Sequence, residues 1–403
     1  MPRALLQAAS LLMQVTPESG RARLLHRSLP AITSGAELSG CGTVRSFIYQ
    51  SLRLAGSALL LSAMAANAHA QEIRIGLAAP LSGAFQLLGE QFVSGARMAA
   101  KDGDIELIEV DDGCTAEGGE QAAHVMAQAD VSMVIGFLCT PAIEAAMPEL
   151  TRIGVPVLTP LRAPRLTDAR IRTGWPIWRL GPRLDDEPKA VARLLVQAWR
   201  DKNFAIIDDG TIYGRELAEN LRVEAELARL EPVLFDTFRP QLDNQVGLVG
   251  RLRRSGATHV FVGGDRSDIA IIARDARKLN YDVVLAGGEA LRAAEEAIHL
   301  PKGVLMVGPP LWEGLASPEV LHQYQQAGIV PEGYTMLGHA AVDVAAGAIR
   351  AAKAAGKPIE DQLRNFSFDT AIGQIRFNAN GDLTVNPYQL YIYDGMEFIE
   401  GEN

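Results

Sequence analysis

The chain has 403 residues, of which 48% are hydrophobic, so it is long enough to bury the cores of two domains. Its mean hydropathy is close to zero, and no apolar run reaches the roughly 20 residues that a membrane-spanning helix needs. The formal net charge is −10 at pH 7 and no stripe of basic residues is present, which argues against nucleic acid as a partner.

Residues 45–70 have the composition of a secretory signal peptide. Two arginines precede the apolar run 54–66, and small residues at the end of the segment predict cleavage after Ala70. A buried helix is the alternative, but the basic and small-residue flanks fit it poorly. We therefore expect the mature protein in the periplasm, and residues 1–44 to be an upstream extension that is either untranslated or disordered. Removal of residues 1–70 would leave 32 basic and 46 acidic side chains, a net charge of −14.

After the signal peptide, short apolar strands alternate with amphipathic helices. A first series of predicted strands begins at Ile73, Ile105, Val131 and Val155. A second series begins at Phe204, Val233, His259, Val283 and Val304. Successive starts within each series lie 21 to 32 residues apart, the length of a βα unit, and segments such as 144–153 and 268–279 show the helical period. This pattern predicts an α/β fold with two doubly wound, Rossmann-like lobes.

Two regions interrupt the alternation. Residues 172–190 contain three prolines and two tryptophans without a βα pattern, which predicts an interdomain crossing, and a second crossing is expected near 308–314. Near the C terminus, the β-like pieces 372–383 and 388–395 are joined by a turn at 378–382. Such a tail is typical of a strand that crosses back to complete one of the sheets.

Cys114 and Cys139 each follow a predicted strand and would be the only cysteines of the mature protein. They could be metal ligands, a redox pair or a disulfide. An oxidising compartment favours the disulfide, and the sequence has no C-x-x-C motif. The paired aspartates at 111–112 and 208–209 lack the alternating oxygen ligands of a calcium loop. We therefore expect no metal and no cofactor.

The segments that directly follow the predicted strands are the candidates for a binding site, because ligands of open α/β sheets bind beyond the carboxyl ends of the strands. These segments are 80–83, 111–114, 136–140, 159–164, 208–214, 263–268 and 287–290. None contains a Walker A, G-x-S-x-G or H-E-x-x-H motif, and the histidines of the mature chain are scattered. The sequence therefore favours a binding protein over an enzyme.

A resemblance to a known family is carried by four segments: IRIGLAAPLSGAFQLLGEQFVSGARMA, EVDDGCTAEGGEQAAHVM, VIGFLCTPAIEAAMPELTRIGVPVLTP and IIDDGTIYGREL. They resemble the Leu/Ile/Val-binding type I periplasmic solute-binding proteins of ABC transporters. The resemblance extends over residues 72–395 and is strongest in the first half. It implies two α/β lobes joined by a three-crossing hinge, and it places the lobes as an N-terminal lobe of 71–182 plus 312–383 and a C-terminal lobe of 183–311 plus 384–403.

The resemblance also implies a function. The family captures a small molecule between its lobes, here an amino acid or a related small carboxylate, and delivers it to an ABC permease at the inner membrane. We expect a monomer. A periplasmic ligand sensor, or an accessory binder that reports to a signalling or redox system, is the alternative, because the same fold serves both roles.

Several site residues follow from the resemblance. Cys114 and Cys139 match the family's disulfide of the N-terminal lobe. Thr140 would hold the ligand carboxylate, Tyr213 would close over the ligand, and Glu289 would pair with its ammonium group. The remaining pocket positions would be filled by Tyr334, Leu138 and Leu88. Each has a structural alternative: Thr140 could cap a helix, Tyr213 could pack beside one, and Glu289 could complement a helix dipole.

Two positions depart from the family pattern. Arg162 stands where small residues are common, and Asp265 stands where amino-acid binders tend to have tyrosine. An arginine in the cleft would favour a second carboxylate or another anion, whereas Asp265 beside Glu289 would favour a cationic group. Arg162 could equally point to solvent, and Asp265 could form a local salt bridge. Together these residues predict a polar or zwitterionic ligand more than a plain aliphatic one.

Overall fold

The computed structural model describes residues 73–101, 104–294 and 297–401, so the predicted extension 1–44 and signal peptide 45–70 lie outside the described residues. Five parallel strands form the first sheet: β1 (Ile73–Ala79), β2 (Ile105–Asp111), β3 (Met133–Gly136), β4 (Val157–Thr159) and β5 (Ile177–Arg179). Their order is β2-β1-β3-β4-β5. Every residue of β3, β4 and β5 is buried, as expected where helices cover both faces of a parallel sheet.

The second sheet has seven strands. They are β6 (Phe204–Asp208), β7 (Leu234–Thr237), β8 (His259–Gly263), β9 (Val284–Gly287), β10 (Leu305–Gly308), β13 (Gln389–Tyr393) and β14 (Phe398–Glu400). Their order is β14-β13-β10-β9-β8-β6-β7. The first five are parallel, and β13 joins β10 antiparallel. A separate antiparallel hairpin consists of β11 (Ser367–Thr370) and β12 (Gly373–Arg376).

The nine strands predicted from the sequence are all present and start within two residues of their predicted positions. The C-terminal prediction is also confirmed, since β13 crosses back and pairs with β10. Residues 172–190 show no βα pattern in the sequence, yet β5 lies there as an edge strand of the first sheet. Three buried residues directly after Pro176 are too few to give a periodic signal.

The helices in chain order are α1 (Gln86–Ala99), α2 (Ala116–Gln128), α3 (Thr140–Arg152), α4 (Arg165–Asp168), α5 (Arg170–Thr173), α6 (Asp186–Ala198), α7 (Ile212–Leu227), α8 (Val246–Ser255), α9 (Arg266–Lys278), α10 (Pro318–Ala327), α11 (Thr335–Ala355) and α12 (Ile359–Asn365). Short 3₁₀ helices span Gly83–Phe85, Glu289–Arg292 and Trp312–Leu315. Both predicted helical segments, 144–153 and 268–279, fall on helices. Among the described residues, no helix is long and apolar enough to cross a membrane.

Each sheet has its own core, so the molecule has two α/β lobes. The first core contains Ile75, Leu77 and Trp178, and α1 and α11 pack against each other over it. Their close approach depends on glycine: a Cβ at Gly95 would lie 1.7 Å from the carbonyl oxygen of Thr335. The second core is built from residues of β6, β8 and β9 with the apolar faces of α8 and α9. The lobe bounds given above remain a prediction.

Candidate ligand-binding site

The predicted disulfide between Cys114 and Cys139 is present, with Cα atoms 5.2 Å apart. It ties the loop after β2 to the loop after β3 at the carboxyl edge of the first sheet. Cys139 is the N-cap of α3, and Thr140 is the first helical residue, followed by Pro141. The disulfide thus fixes the start of a helix whose first N–H groups have no partner within the helix.

Arg162 and Glu289 form an ion pair between the two lobes. Arg162 lies in the loop after β4, and Glu289 begins the 3₁₀ helix after β9. Nη1 of Arg162 donates to Oε1 of Glu289 at 2.9 Å. The side chains are 30% and 22% exposed, so the pair lies at a partly open edge. The carboxyl ends of strands from both sheets therefore meet at this point, where ligands of this fold class bind.

Tyr388, in the segment before β13, completes the contact. Its hydroxyl donates to Oε2 of Glu289 at 2.6 Å and accepts a hydrogen bond from Nη2 of Arg162. The guanidinium of Arg162 also lies over the tyrosine ring, 5.9 Å from its centroid. Each oxygen of Glu289 thus accepts a hydrogen bond from inside the protein.

A second carboxylate, that of Glu187, lies next to the group formed by Arg162, Glu289 and Tyr388. Glu187 is in the first turn of α6 and is only 2% exposed. Its Oε1 accepts hydrogen bonds from the hydroxyl of Tyr213 and from the backbone N–H of Glu289, each at 2.7 Å. Glu187 therefore holds two of the sequence-predicted residues in place.

The electrostatics follow from burial and from these partners. Burial and the negative charge of Glu289 raise the pKa of Glu187 to about 7, against its two hydrogen bonds and the attraction of Arg162. Burial alone would lower the pKa of Arg162, but the hydrogen bond to Glu289 and the surrounding negative groups raise it. Burial and Glu187 raise the pKa of Tyr213, and burial and Glu289 raise that of Tyr388. Arg162 therefore keeps its charge at neutral pH, while Glu187 titrates there.

The loop that carries Arg162 is held by a second, buried arginine. Arg179, at the end of β5, is fully buried. It donates to the carbonyl oxygens of Leu161 and of Ala163, the latter at 2.9 Å. Its Nε donates to Asp382 at 2.8 Å. Because Arg179 fixes the carbonyls on both sides of Arg162, it orients the backbone from which that side chain reaches the other lobe.

The other sequence-predicted residues lie around this centre. Tyr334 precedes α11 and packs with Leu138 against the first core. Burial raises the pKa of Tyr334, and the charge of Arg162 opposes the rise. Leu88 is a partly buried residue in the first turn of α1. Asp265 is the exposed N-cap of α9, and within the described ranges no hydrogen bond or ion pair joins it to Glu289.

The cleft beside the ion pair is lined by Arg162, Tyr213, Glu289, Ala290, Arg292 and Pro309. Among the described residues, no group of three or more His, Cys, Asp and Glu side chains could hold a metal ion.

Sequence reasoning missed Glu187, Tyr388 and Arg292. Only Arg292 had a usable signal, since it follows Glu289 by three residues and side chains at this spacing eclipse in a 3₁₀ helix.

Comparisons with known proteins extend over most of the chain. The model of the family described as "Periplasmic binding protein" matches residues 72–395. An "Amino acid binding protein" of Pseudomonas aeruginosa is 27% identical over 356 residues, which cover 83% of this chain and 93% of that protein. "Leu/Ile/Val-binding protein homolog 3" of Brucella melitensis is 27% identical over 360 residues, 83% of this chain and 95% of its own.

Solved structures share the fold. A leucine-binding protein from Thermotoga maritima has a TM-score of 0.53 and 18% identity, covering 82% of this chain and 98% of its own. An ABC transporter substrate-binding protein from Desulfitobacterium hafniense in complex with Leu has a TM-score of 0.59 and 20% identity, covering 82% of this chain and 99% of its own. A solute-binding protein from R. palustris in complex with benzoate has a TM-score of 0.52 and 17% identity, covering 82% of this chain and 95% of its own. The chain belongs to the periplasmic binding protein family and has the type I fold of its Leu/Ile/Val-binding relatives.

Proposed function

We propose that this protein is a periplasmic solute-binding protein that captures an amino acid or a related small carboxylate between its lobes and delivers it to an ABC permease at the inner membrane. The observation that carries the proposal is the Arg162–Glu289 contact, which brings strand ends of both sheets to one cleft. The names of its relatives, which include amino-acid and Leu/Ile/Val binders, point to the same class of ligand.

The ligand carboxylate is held at the start of α3. Thr140 contributes its hydroxyl, and the N–H groups of the first turn, which have no partner within the helix, add donors and the positive end of the helix dipole. Leu138, which directly precedes Cys139, lies beside this turn and offers an apolar surface. The first lobe therefore supplies the groups that recognise the carboxylate.

The second lobe covers the ligand. Tyr213 lines the cleft and is held there by its hydrogen bond to Glu187. Closure of the lobes is favoured to the extent that the ligand contacts both lobes at once, since a ligand shifts the equilibrium only by its differential affinity for the two states. Secretion through the segment 45–70, with cleavage after Ala70, places the monomer where the permease can receive it.

The proposed ligand is a class of small carboxylates and not one compound. One solved structure with this fold contains Leu and another contains benzoate, so the fold accommodates carboxylates with and without an amino group. The carboxylate is the group that these two molecules share. It is therefore the group to test first.

A thermal-shift screen of the mature chain, residues 71–403, against amino acids, dicarboxylates and aromatic acids tests the proposal. A ligand at 100 times its Kd stabilises the folded state by about 2.7 kcal/mol and raises Tm. Thr140→Val should weaken the best carboxylate by roughly tenfold or more, the value of a hydrogen bond to a charged group. Thr151→Val, at the other end of the same helix, is the matched control and should leave affinity unchanged. If no carboxylate raises Tm, the assigned ligand class is wrong.

A further inference from the structure

The charge of Glu289 is already compensated within the protein. Arg162 donates to one of its oxygens at 2.9 Å, and Tyr388 donates to the other at 2.6 Å. An ammonium group that approached this carboxylate would meet the fixed guanidinium a few ångströms away, and like charges at that distance repel each other. The position that suits a ligand ammonium is therefore taken by a cation of the protein itself.

The charges that line the cleft also favour an anion. Arg162 and Arg292 are the cations of the lining, against the single carboxylate of Glu289, so these three side chains sum to +1. Arg292 is held by a hydrogen bond from Nη2 to the carbonyl oxygen of Pro309 and by the ring of Tyr391, 5.2 Å from its guanidinium. Within the described residues, the Nε atoms of both arginines are buried without a hydrogen-bond partner.

Glu187 does not restore an anionic position for the ligand. It is 2% exposed, and its Oε1 accepts hydrogen bonds from the hydroxyl of Tyr213 and from the backbone N–H of Glu289. Burial also raises its pKa to about 7, so at neutral pH it carries only part of a negative charge. A ligand ammonium would thus enter a partly buried site without a free carboxylate, which is costly for an unpaired cation.

We propose that the ligand is a small carboxylic acid without an α-ammonium group, and that the guanidinium of Arg162 occupies the place against Glu289 where the ammonium of an amino acid would bind. This inference rests on the proposed function and narrows its ligand class. Arg162 is then the residue that determines specificity, because it both neutralises Glu289 and supplies a positive charge to the anion. Arg292 adds a second positive charge to the same cleft.

The experiment compares matched pairs that differ only in the amino group, by calorimetry on the mature wild-type chain, residues 71–403, at pH 7.5. Suitable pairs are L-leucine with 4-methylpentanoate, L-phenylalanine with 3-phenylpropanoate, and L-glutamate with glutarate. In the pair whose skeleton fits, the des-amino acid should bind at least tenfold more tightly. If the amino acid binds more tightly, this inference is overturned while the proposed function stands. If no member of any pair, nor any carboxylate in the thermal-shift screen, binds, both fall together.

Two variants test the role of Arg162 separately. Arg162→Gln removes the cation that neutralises Glu289, so the ratio of amino-acid to des-amino affinity should rise at least tenfold. Arg162→Lys keeps the positive charge and should retain the wild-type preference. Arg165→Gln, three residues away, removes an exposed surface pair with Glu144 and is the matched control. An unchanged affinity ratio in a folded Arg162→Gln variant would overturn the assignment of Arg162 as the residue that determines specificity. If that variant does not fold, the affinity ratios of wild type and Arg162→Lys still test the assignment, since both should favour the des-amino acid.

Discussion

Glu187→Gln should stabilise the protein, because the carboxylate of Glu187 is buried beside another carboxylate. The side chain is 2% exposed, and Glu289 adds to the unfavourable effect of burial on its charged form. A glutamine has nearly the same shape, and its amide oxygen can accept the same two hydrogen bonds from Tyr213 and from the backbone of Glu289. The substitution therefore removes a charge and keeps the contacts.

The magnitude follows from the pKa of Glu187. It rises from an ordinary 4.5 to about 7 on folding, which corresponds to about 3 kcal/mol. Between these two pH values the folded protein binds more protons than the unfolded chain, so the contribution of Glu187 to stability falls as the pH rises from about 4.5 to about 7. Above that range the loss is complete. Glu187→Gln should therefore be about 3 kcal/mol more stable than wild type at pH 8 and close to wild type near pH 4.5.

The assay is urea denaturation of wild type and variant at several pH values between 4.5 and 8, read as the difference in free energy of unfolding. Glu117→Gln is the matched control, because Glu117 also lies in the first turn of a helix but is exposed. It removes the same charge from an exposed first turn, so its effect on the free energy of unfolding should be destabilising and stay below about 1 kcal/mol. A flat difference for Glu187→Gln across this range would refute the argument from burial.

The remaining predictions concern elements around the site, and each is measured by the free energy of unfolding in urea. Replacing Cys114 and Cys139 together by serine should destabilise the protein by about 3.5 kcal/mol, from the chain entropy of a loop with a sequence separation of 25; an equal stability of the oxidised wild type and the variant would contradict this. Arg179→Met should cost about 1–3 kcal/mol, because the carbonyl oxygens of Leu161 and Ala163 lose their buried donor while Arg183 remains paired with Asp382; an unchanged stability would contradict this. Gly338→Ala should cost more than about 2 kcal/mol, because a Cβ there would lie 2.0 Å from a carbonyl oxygen of α1; a neutral substitution would show that α1 and α11 separate easily.

The fold could be predicted from the sequence because its strands carry a strong local signal. Buried parallel strands such as β6 and β8 are short runs of apolar residues at regular spacing, and that regularity survives without any knowledge of contacts. β5 was not predicted because it is three residues long and lies among prolines. Its pairing with β4 depends on the rest of the sheet, which no local pattern records.

The site could be predicted only in part. Loops after strands pointed to Arg162 and Glu289 as separate candidates, but 127 residues separate them along the chain, and their contact depends on how two sheets face each other. Glu187 was hidden for a similar reason. An acidic residue in the first turn of a helix is ordinary on a surface, and only its burial under Glu289 and Tyr213 makes it part of the site.

The central claim is that a small carboxylate binds between the lobes, and a crystal structure of the mature chain with the tightest-binding acid of the screen tests it most directly. We predict that the ligand carboxylate lies within hydrogen-bonding distance of Thr140 and the first turn of α3, that Tyr213 covers it, and that Arg162 still contacts Glu289. A ligand bound away from the cleft that Arg162 and Glu289 line would contradict the account.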